Sequence, residues 1–458
     1  MRMSLNRAVK PFPKEEISFS LPEIENFCLS NGLRVLHVKK DTLPIININL
    51  VFYAGSKYDP SGRKGLANLF GMVADEGAGI YDTLALSDEL DTLGTSLNIN
   101  RDSDSIYYSL QTLTEHYAKS LDLFCDVLLS PRFEDAAFER EKRKILTRIL
   151  QIKDAPDELA DIAFERIIYG DDNPYSHPVF GYADTVQQIN NAEVKDFYKN
   201  FIFPSNGFLV CVGNITADHL KKSFEDKLNT WTIEGTNNFT LVNSKETAPK
   251  IYLLHKEGTV QSEIRCGHLT CKRNEMDYFP KSILNMILGG QFSSRINLNL
   301  REDKGYTYGA LSRFNYHKDA AHFYVSTSVG AENTANALIE IDKEINKIKD
   351  GISGEELKFA KSSMIRKFPS NFETLRQISV NLIGKVVYGL KNDYFNTYID
   401  SILKVTKEDV NKAAADNIFP ENIKYVITGD KNIIRPQLKN IMFADVVEIN
   451  SDGEVIEG

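Results

Sequence analysis

Eight histidines are spread through the chain, and no two of them stand three or four residues apart. Two imidazoles on one face of a helix, the usual start of a helical zinc site, are therefore missing. Neither His-Glu-x-x-His nor its inverse His-x-x-Glu-His occurs. Also absent are G-x-S-x-G, G-x-x-x-x-G-K-[ST] and G-x-G-x-x-G, which removes the nucleophile elbow, the phosphate loop and the dinucleotide fingerprint. No uninterrupted apolar run approaches the ~20 residues that a membrane helix needs. The basic N-terminal stretch lacks the apolar core of a secretory signal, so none is expected. The five cysteines (Cys28, Cys125, Cys211, Cys266, Cys271) are odd in number and scattered. That distribution suits reduced thiols in a cytoplasmic protein better than a disulfide framework. Basic residues number 54 against 63 acidic, a net charge of −9 with no basic cluster. Nucleic-acid binding, which needs many phosphates neutralised, is not expected.

What is present is a duplication. The 458 residues suit two domains, and the chain repeats itself at an offset near 216 residues. Ile202-Phe203-Pro204-Ser205-Asn206 recurs as Ile418-Phe419-Pro420-Glu421-Asn422, Gly213 meets Gly429, and the alternating stretch from Ile106 meets that from His322. A slip of three residues pairs Ile167-Ile168-Tyr169-Gly170 with Val386-Val387-Tyr388-Gly389. Each half runs from alternating strands through a helix and two more strands to long helices and a last strand. This order predicts an α+β fold of two homologous domains, each an antiparallel sheet with helices on one face. The expected boundaries are residues 1–234, a Thr/Asn/Gly/Ser-rich linker over 235–250, and 251–458. A terminal hairpin is expected around Asp452-Gly453.

Cys266-x-His268-x-x-Cys271 has the residue types of a metal site, but it lies on a strand pattern that turns Cys271 away from the other two. With no fourth ligand apparent, it reads as strand packing.

Around Gly65-Leu66-Ala67-Asn68-Leu69-Phe70-Gly71-Met72, preceded by Ala54-Gly55-Ser56-Lys57-Tyr58-Asp59-Pro60, the chain resembles the pitrilysin / insulinase / mitochondrial processing peptidase family of zinc proteases. In active members this helix carries two zinc-binding histidines and a glutamate general base. Carried across by position, the resemblance puts Asn68 at the first histidine, Gly71 at the glutamate and Met72 at the second histidine. The family's third ligand, a glutamate on a later helix, falls on Arg148. A guanidinium cannot ligate zinc, so the resemblance implies no metal or cofactor bound by this chain. Asn173-Pro174-Tyr175-Ser176-His177-Pro178 is similar to another family loop, and His177 reads there as a loop residue without a partner.

The second half keeps a different segment of the family pattern. Gly289-Gly290-Gln291-Phe292-Ser293-Ser294-Arg295 leads to Arg301-Glu302-Asp303-Lys304-Gly305-Tyr306-Thr307-Tyr308. Leu284, Leu288, Phe292, Ile296 and Leu300 predict one helix packed along a single face, stopped at Gly305 and followed by a strand from Tyr306. The resemblance implies that Arg301 and Tyr308 bind substrate or transition state. The family builds a chamber from four such domains, so a two-domain chain is half of one. The implied role is the noncatalytic subunit of a heterodimeric zinc endopeptidase. Its expected partners are a homologous subunit with an intact His-x-x-Glu-His, which brings the zinc, and unfolded peptides as substrate. The alternative it leaves open is a peptide-binding or scaffold subunit with no proteolytic role.

Overall fold

In the computed structural model the described residues are 19–232, 235, 240–241, 248–273, 275–439, 441 and 443–456. The N-terminal stretch and most of the linker discussed above lie outside them. The first half builds one six-stranded sheet from β1 (Glu25–Cys28), β2 (Arg34–Lys39), β3 (Ile45–Phe52), β4 (Ser96–Arg101), β5 (Ile106–Leu113) and β6 (Gly207–Gly213), in the order β1-β2-β6-β3-β5-β4. The second builds another from β7 (Lys250–His255), β8 (Gln261–Leu269), β9 (Ala310–Tyr316), β10 (Ala321–Gly330), β11 (Lys424–Gly429) and β12 (Asp445–Ile449), in the order β12-β7-β11-β8-β10-β9. Five strands correspond one to one, β2 with β7 through to β4 with β9. The recurring Ile-Phe-Pro segments lead into the equivalent central strands β6 and β11.

The α+β duplication therefore holds, and two details differ from expectation. The sheets are mixed: β6 runs parallel to β2, and β11 runs parallel to β7. Each of these strands returns only after the long helices, and such a crossover permits parallel pairing where a tight turn does not. Helices also cover both faces. Ile46, Ile48, Leu50 and Phe52 of β3 point to the core made with the first half's own helices. The opposite face, with Leu36, Val38, Val51, Phe208, Val210 and Val212, is covered by Leu375, Ile378 and Leu382 of the second half's Leu375–Val387 helix. In return, the first half's Pro156–Tyr169 helix lays Leu159, Ala163 and Phe164 on the second sheet, against Leu254 and Val426. These are the two helices whose ends the sequence repeat pairs. Each large side chain so buried contributes about 1.5–3 kcal/mol, so the exchange joins the halves far more firmly than surface contacts could.

A buried polar cluster crosses the same seam. Lys57, with a side chain 0% exposed, reaches Asp104 at 2.8 Å and Asp319 of the second half at 2.7 Å. Tyr175 donates to Asp104 at 2.7 Å, and the Lys318 N–H donates to the other Asp104 oxygen at 2.8 Å. The terminal hairpin forms as expected, with Gly453 at φ +81° and the Ile456 N–H donating to the Glu448 carbonyl.

Candidate functional site

The Leu66–Val73 helix begins at Gly65 in the left-handed region, φ +100°. Asp59 caps it, accepting from the Gly65 N–H at 2.7 Å and the Ala67 N–H at 2.8 Å. His177 is not the partnerless loop residue expected. Its Nε2 lies 3.1 Å from the Ser56 carbonyl and 3.8 Å from the buried Asp59 carboxylate, tying the 173–178 loop to the start of this helix.

The helix brings Asn68, Gly71 and Met72 together at a point where a guanidinium stands. Arg101, at the end of β4, donates from Nε to Asn68 Oδ1 at 2.7 Å and from Nη1 to the Ile99 carbonyl at 2.9 Å. The Asn68 amide approaches Met72 Sδ at 3.9 Å. A Cβ on Gly71 would come within 3.0 Å of Arg101 Cδ, so Arg101 occupies the room a longer side chain would need. Arg148 turns to Glu158 on the following helix in an exposed ion pair. Among the described residues, no group of three or more His, Cys, Asp or Glu is placed to hold a metal ion.

The donor set does not fit zinc: a carboxamide oxygen already engaged by a cation, a glycine, a thioether and two arginines replace the ligands that zinc requires. Restoring Asn68→His, Gly71→Glu and Met72→His together is therefore expected not to give one zinc per chain while Arg101 and Arg148 remain. Metal analysis after dialysis against zinc checks this, and stoichiometric uptake would overturn it.

Arg101 was not singled out from the sequence. Its only sign there is a charge continuing the Leu97, Ile99 side of a strand, visible once the register is known. Burial lowers its pKa, and nearby Asp75 and Glu141 oppose that. Burial also pushes the Asp75 carboxyl up to about 7, with Glu76 and Glu141 adding to the rise and Arg101 opposing it. A carboxyl raised in the folded state favours folding when protonated, so its contribution declines as pH rises from its unfolded value near 3.9 through about 7. The thermal midpoint of the native chain should thus fall relative to Asp75→Asn across that window. A constant difference by calorimetry would refute it.

The Arg301 segment differs from the single helix expected. The Glu275–Leu288 helix ends at Gly289, whose hypothetical Cβ would lie 2.5 Å from the Ser312 backbone nitrogen. The chain resumes as Arg295–Asn297 and a π-helical turn over Leu298–Asp303. Leu284, Leu288, Ile296 and Leu300 are buried as the pattern required, but Phe292, in the break, is exposed. It forms a platform instead: the Arg301 guanidinium lies 3.9 Å over its ring. Arg301 Nη1 is buried with no hydrogen-bond partner among the described residues. Arg295 serves structure, gripping Glu356 from Nε at 2.7 Å and from Nη2 at 3.0 Å.

The strand expected from Tyr306 begins only at Ala310. Tyr308 sits in the connecting loop, braced by Thr307 Oγ1 on the Gly309 N–H (3.0 Å) and Thr327 Oγ1 on the Gly309 carbonyl (3.0 Å). Its ring projects outward, 93% exposed.

His268 belongs to packing, as read. Its Nε2 accepts from the Phe419 N–H at 3.1 Å while Nδ1 faces the Leu269 carbonyl at 2.9 Å, and burial pulls its pKa down to about 4. Cys266 is fully buried and Cys271 is exposed beyond the strand.

A cleft of about 740 Å³ opens between the β3–β5 face and the Leu375–Val387 helix. Its floor is a ladder of neutral polar side chains set by the strand register: Asn47 beside Gln111 beside Ser96, then Asn49 beside Ser109 beside Asn98. The second sheet has a counterpart of about 670 Å³ against the Pro156 end of its borrowed helix, lined by Glu263, Arg265 and Leu311 among others.

Comparison with known proteins agrees with this geometry. Residues 34–177 match the family model described as "Insulinase (Peptidase family M16)", and residues 188–364 match "Peptidase M16 inactive domain". The chain is 22% identical to the "Uncharacterized zinc protease YmxG" of Bacillus subtilis, over 87% of this chain and 96% of that one. It is 23% identical to the "Non-peptidase homolog YmxG" of Helicobacter pylori, over 87% and 92%. Among solved structures, a peptidase M16 inactive domain from Pseudomonas fluorescens superposes with a TM-score of 0.82 at 23% identity, covering 89% of this chain and 98% of that one. A protease from Helicobacter pylori also gives 0.82, at 20% identity, covering 89% and 100%.

Proposed function

The chain is a noncatalytic member of the insulinase family, peptidase family M16, and on that premise we propose that it is the substrate-binding subunit of a heterodimeric zinc endopeptidase. In this reading a homologous partner with an intact His-x-x-Glu-His supplies the zinc and the general base. The present chain closes the other side of a peptide chamber and supplies Arg301 and Tyr308. A fixed cation and a phenol suit charge developing on a peptide oxygen, and the substrates are unfolded peptides in extended form.

The observation that carries the reading is the contrast between the two regions. At Asn68, Gly71 and Met72 an internal arginine fills the space, whereas Arg301 is held on Phe292 and Tyr308 extends into solvent. An exposed phenol on a braced loop contributes little to this chain's own fold and suits contact with something beyond it. The cytoplasmic placement suggested by the scattered cysteines is part of the same proposal.

Affinity purification of the native chain tests it. A homologue bearing His-x-x-Glu-His should co-purify in near-equal amount, and the pair should cleave an unfolded peptide in a chelator-sensitive way. A second reading, a scaffold without proteolytic role, draws on the relative called a non-peptidase homologue. It takes over if the dominant partner is not a protease and the purified complex leaves peptides intact.

A further inference from the structure

We propose that a pocket of about 280 Å³ at the β1 end of the first sheet binds a small organic carboxylate, with Lys385 as its cation. The site lies between the two halves of the chain and stands apart from the peptide chamber proposed above, so either reading can fail without the other.

Leu375, Ile378, Leu382 and Lys385 follow one another at intervals of three and four residues, one stripe of the Leu375–Val387 helix. The first three cover the sheet. The fourth is a lysine where the spacing asks for another apolar side chain, and it is only 3% exposed. Burying an ammonium is costly unless an opposite charge pairs with it. Lys385 makes no ion pair with a carboxylate among the described residues; its Nζ donates to one neutral oxygen, Asn392 Oδ1, at 2.9 Å. An ammonium has three protons to donate, so two are left for a guest. Burial lowers its pKa and Arg34 adds to the drop, with no acidic group opposing them. Arg34 stands two residues from Leu36 on the covered face of β2 and brings a second cation near.

The walls of the pocket say what kind of anion fits. Asn26, Asn392 and Asn396 bring carboxamides to the side of Lys385. Asn26 is there because it pairs with Leu36, which sets it on the covered face. Their N–H groups can complete the hydrogen bonding of a carboxylate held by the ammonium. Ile24 and Phe395 make an apolar wall beside them, which suits a short carbon chain. Phosphate sites instead gather backbone N–H groups or several cations, and no apolar wall serves them. The volume falls just below the range of about 300–1,000 Å³ usual for ligand sites, which favours a molecule of a few carbons over a peptide. Glu23, the one acidic residue on the wall, is exposed. Water and salt screen it, so it opposes the anion weakly.

Isothermal titration calorimetry on the full chain tests the idea with hexanoate, its neutral counterpart hexanamide, and inorganic phosphate. Hexanoate should bind saturably, and about tenfold more tightly than either of the others. Lys385→Met keeps the length of the side chain and completes the apolar stripe. It should therefore melt no lower than the native chain while losing the preference for hexanoate over hexanamide. Glu23→Gln removes the opposing charge at an exposed position and should tighten hexanoate about twofold. No saturable binding of hexanoate, equal binding of hexanamide, tighter binding of phosphate, or a preference that survives Lys385→Met would each overturn the proposal. A lower melting temperature in Lys385→Met would assign the lysine to the fold and count against it. So would an unchanged or weaker hexanoate affinity in Glu23→Gln, a variant that leaves Lys385 in place.

Discussion

In a reconstituted pair with its zinc-bearing homologue, Tyr308→Phe is expected to lower kcat/KM on an unfolded peptide by about a hundredfold, and Arg301→Ala by as much or more. Removing one pre-positioned donor to a developing oxyanion typically costs about 10²–10³ in rate. Tyr308 suits the experiment because its side chain is 93% exposed, so its loss should leave the melting temperature unchanged and any effect belongs to substrate. The phenylalanine variant isolates the hydroxyl from the ring. Arg301→Lys should recover little, because an ammonium lacks the planar surface that lies 3.9 Å over Phe292. The double variant should lose less than the product of the two single losses, since groups acting on one charge are not additive. Full activity in both single variants would remove these residues from the chemistry and leave the scaffold reading in place.

Asp104→Ala should destabilise the chain by about 3 kcal/mol, towards the lower end of the cost of breaking a buried ion pair. Lys57 would keep Asp319 at 2.7 Å but lose its other carboxylate, and the Tyr175 hydroxyl and the Lys318 N–H would each lose an acceptor. Burial raises the pKa of Asp104, but Lys57 and the Tyr175 hydrogen bond outweigh it and hold the carboxyl below its usual range. Its contribution is therefore complete at neutral pH and is lost as pH falls below about 4. Asp104→Asn, which keeps the shape and one acceptor, should cost less. Urea titration reads the effect as a lower midpoint at unchanged slope. A midpoint within about 0.5 kcal/mol of native would show that the seam is held by its apolar contacts alone.

The duplication was legible because equivalent positions do equivalent work. Gly213 and Gly429 close equivalent strands, and the Ile-Phe-Pro segments lead into them. The loss of metal ligands was legible for a related reason: Asn68, Gly71 and Met72 are chemically unfit wherever the fold puts them. Arg101 was not, since a single arginine in a polar strand says nothing until the register sets it against Asn68. Periodicity also overran the break after Leu288, because Ile296 and Leu300 stay buried on the far side of it. Only the close approach of Gly289 to Ser312 shows why the helix stops. The helix exchange was hidden as well. The apolar stripes of Pro156–Tyr169 and Leu375–Val387 announce burial, but a stripe does not say which of two similar sheets it will meet.

That exchange sets a timetable for the chain's synthesis. β6 completes the first sheet at Gly213, yet the side chains that cover Leu36, Val38 and Phe208 come from residues 368–395. At roughly 5–20 residues per second, the ribosome needs about ten to forty seconds to make the intervening stretch. Throughout that interval an apolar sheet face on the nascent chain stands uncovered, long enough for a chaperone to find it before the second half arrives.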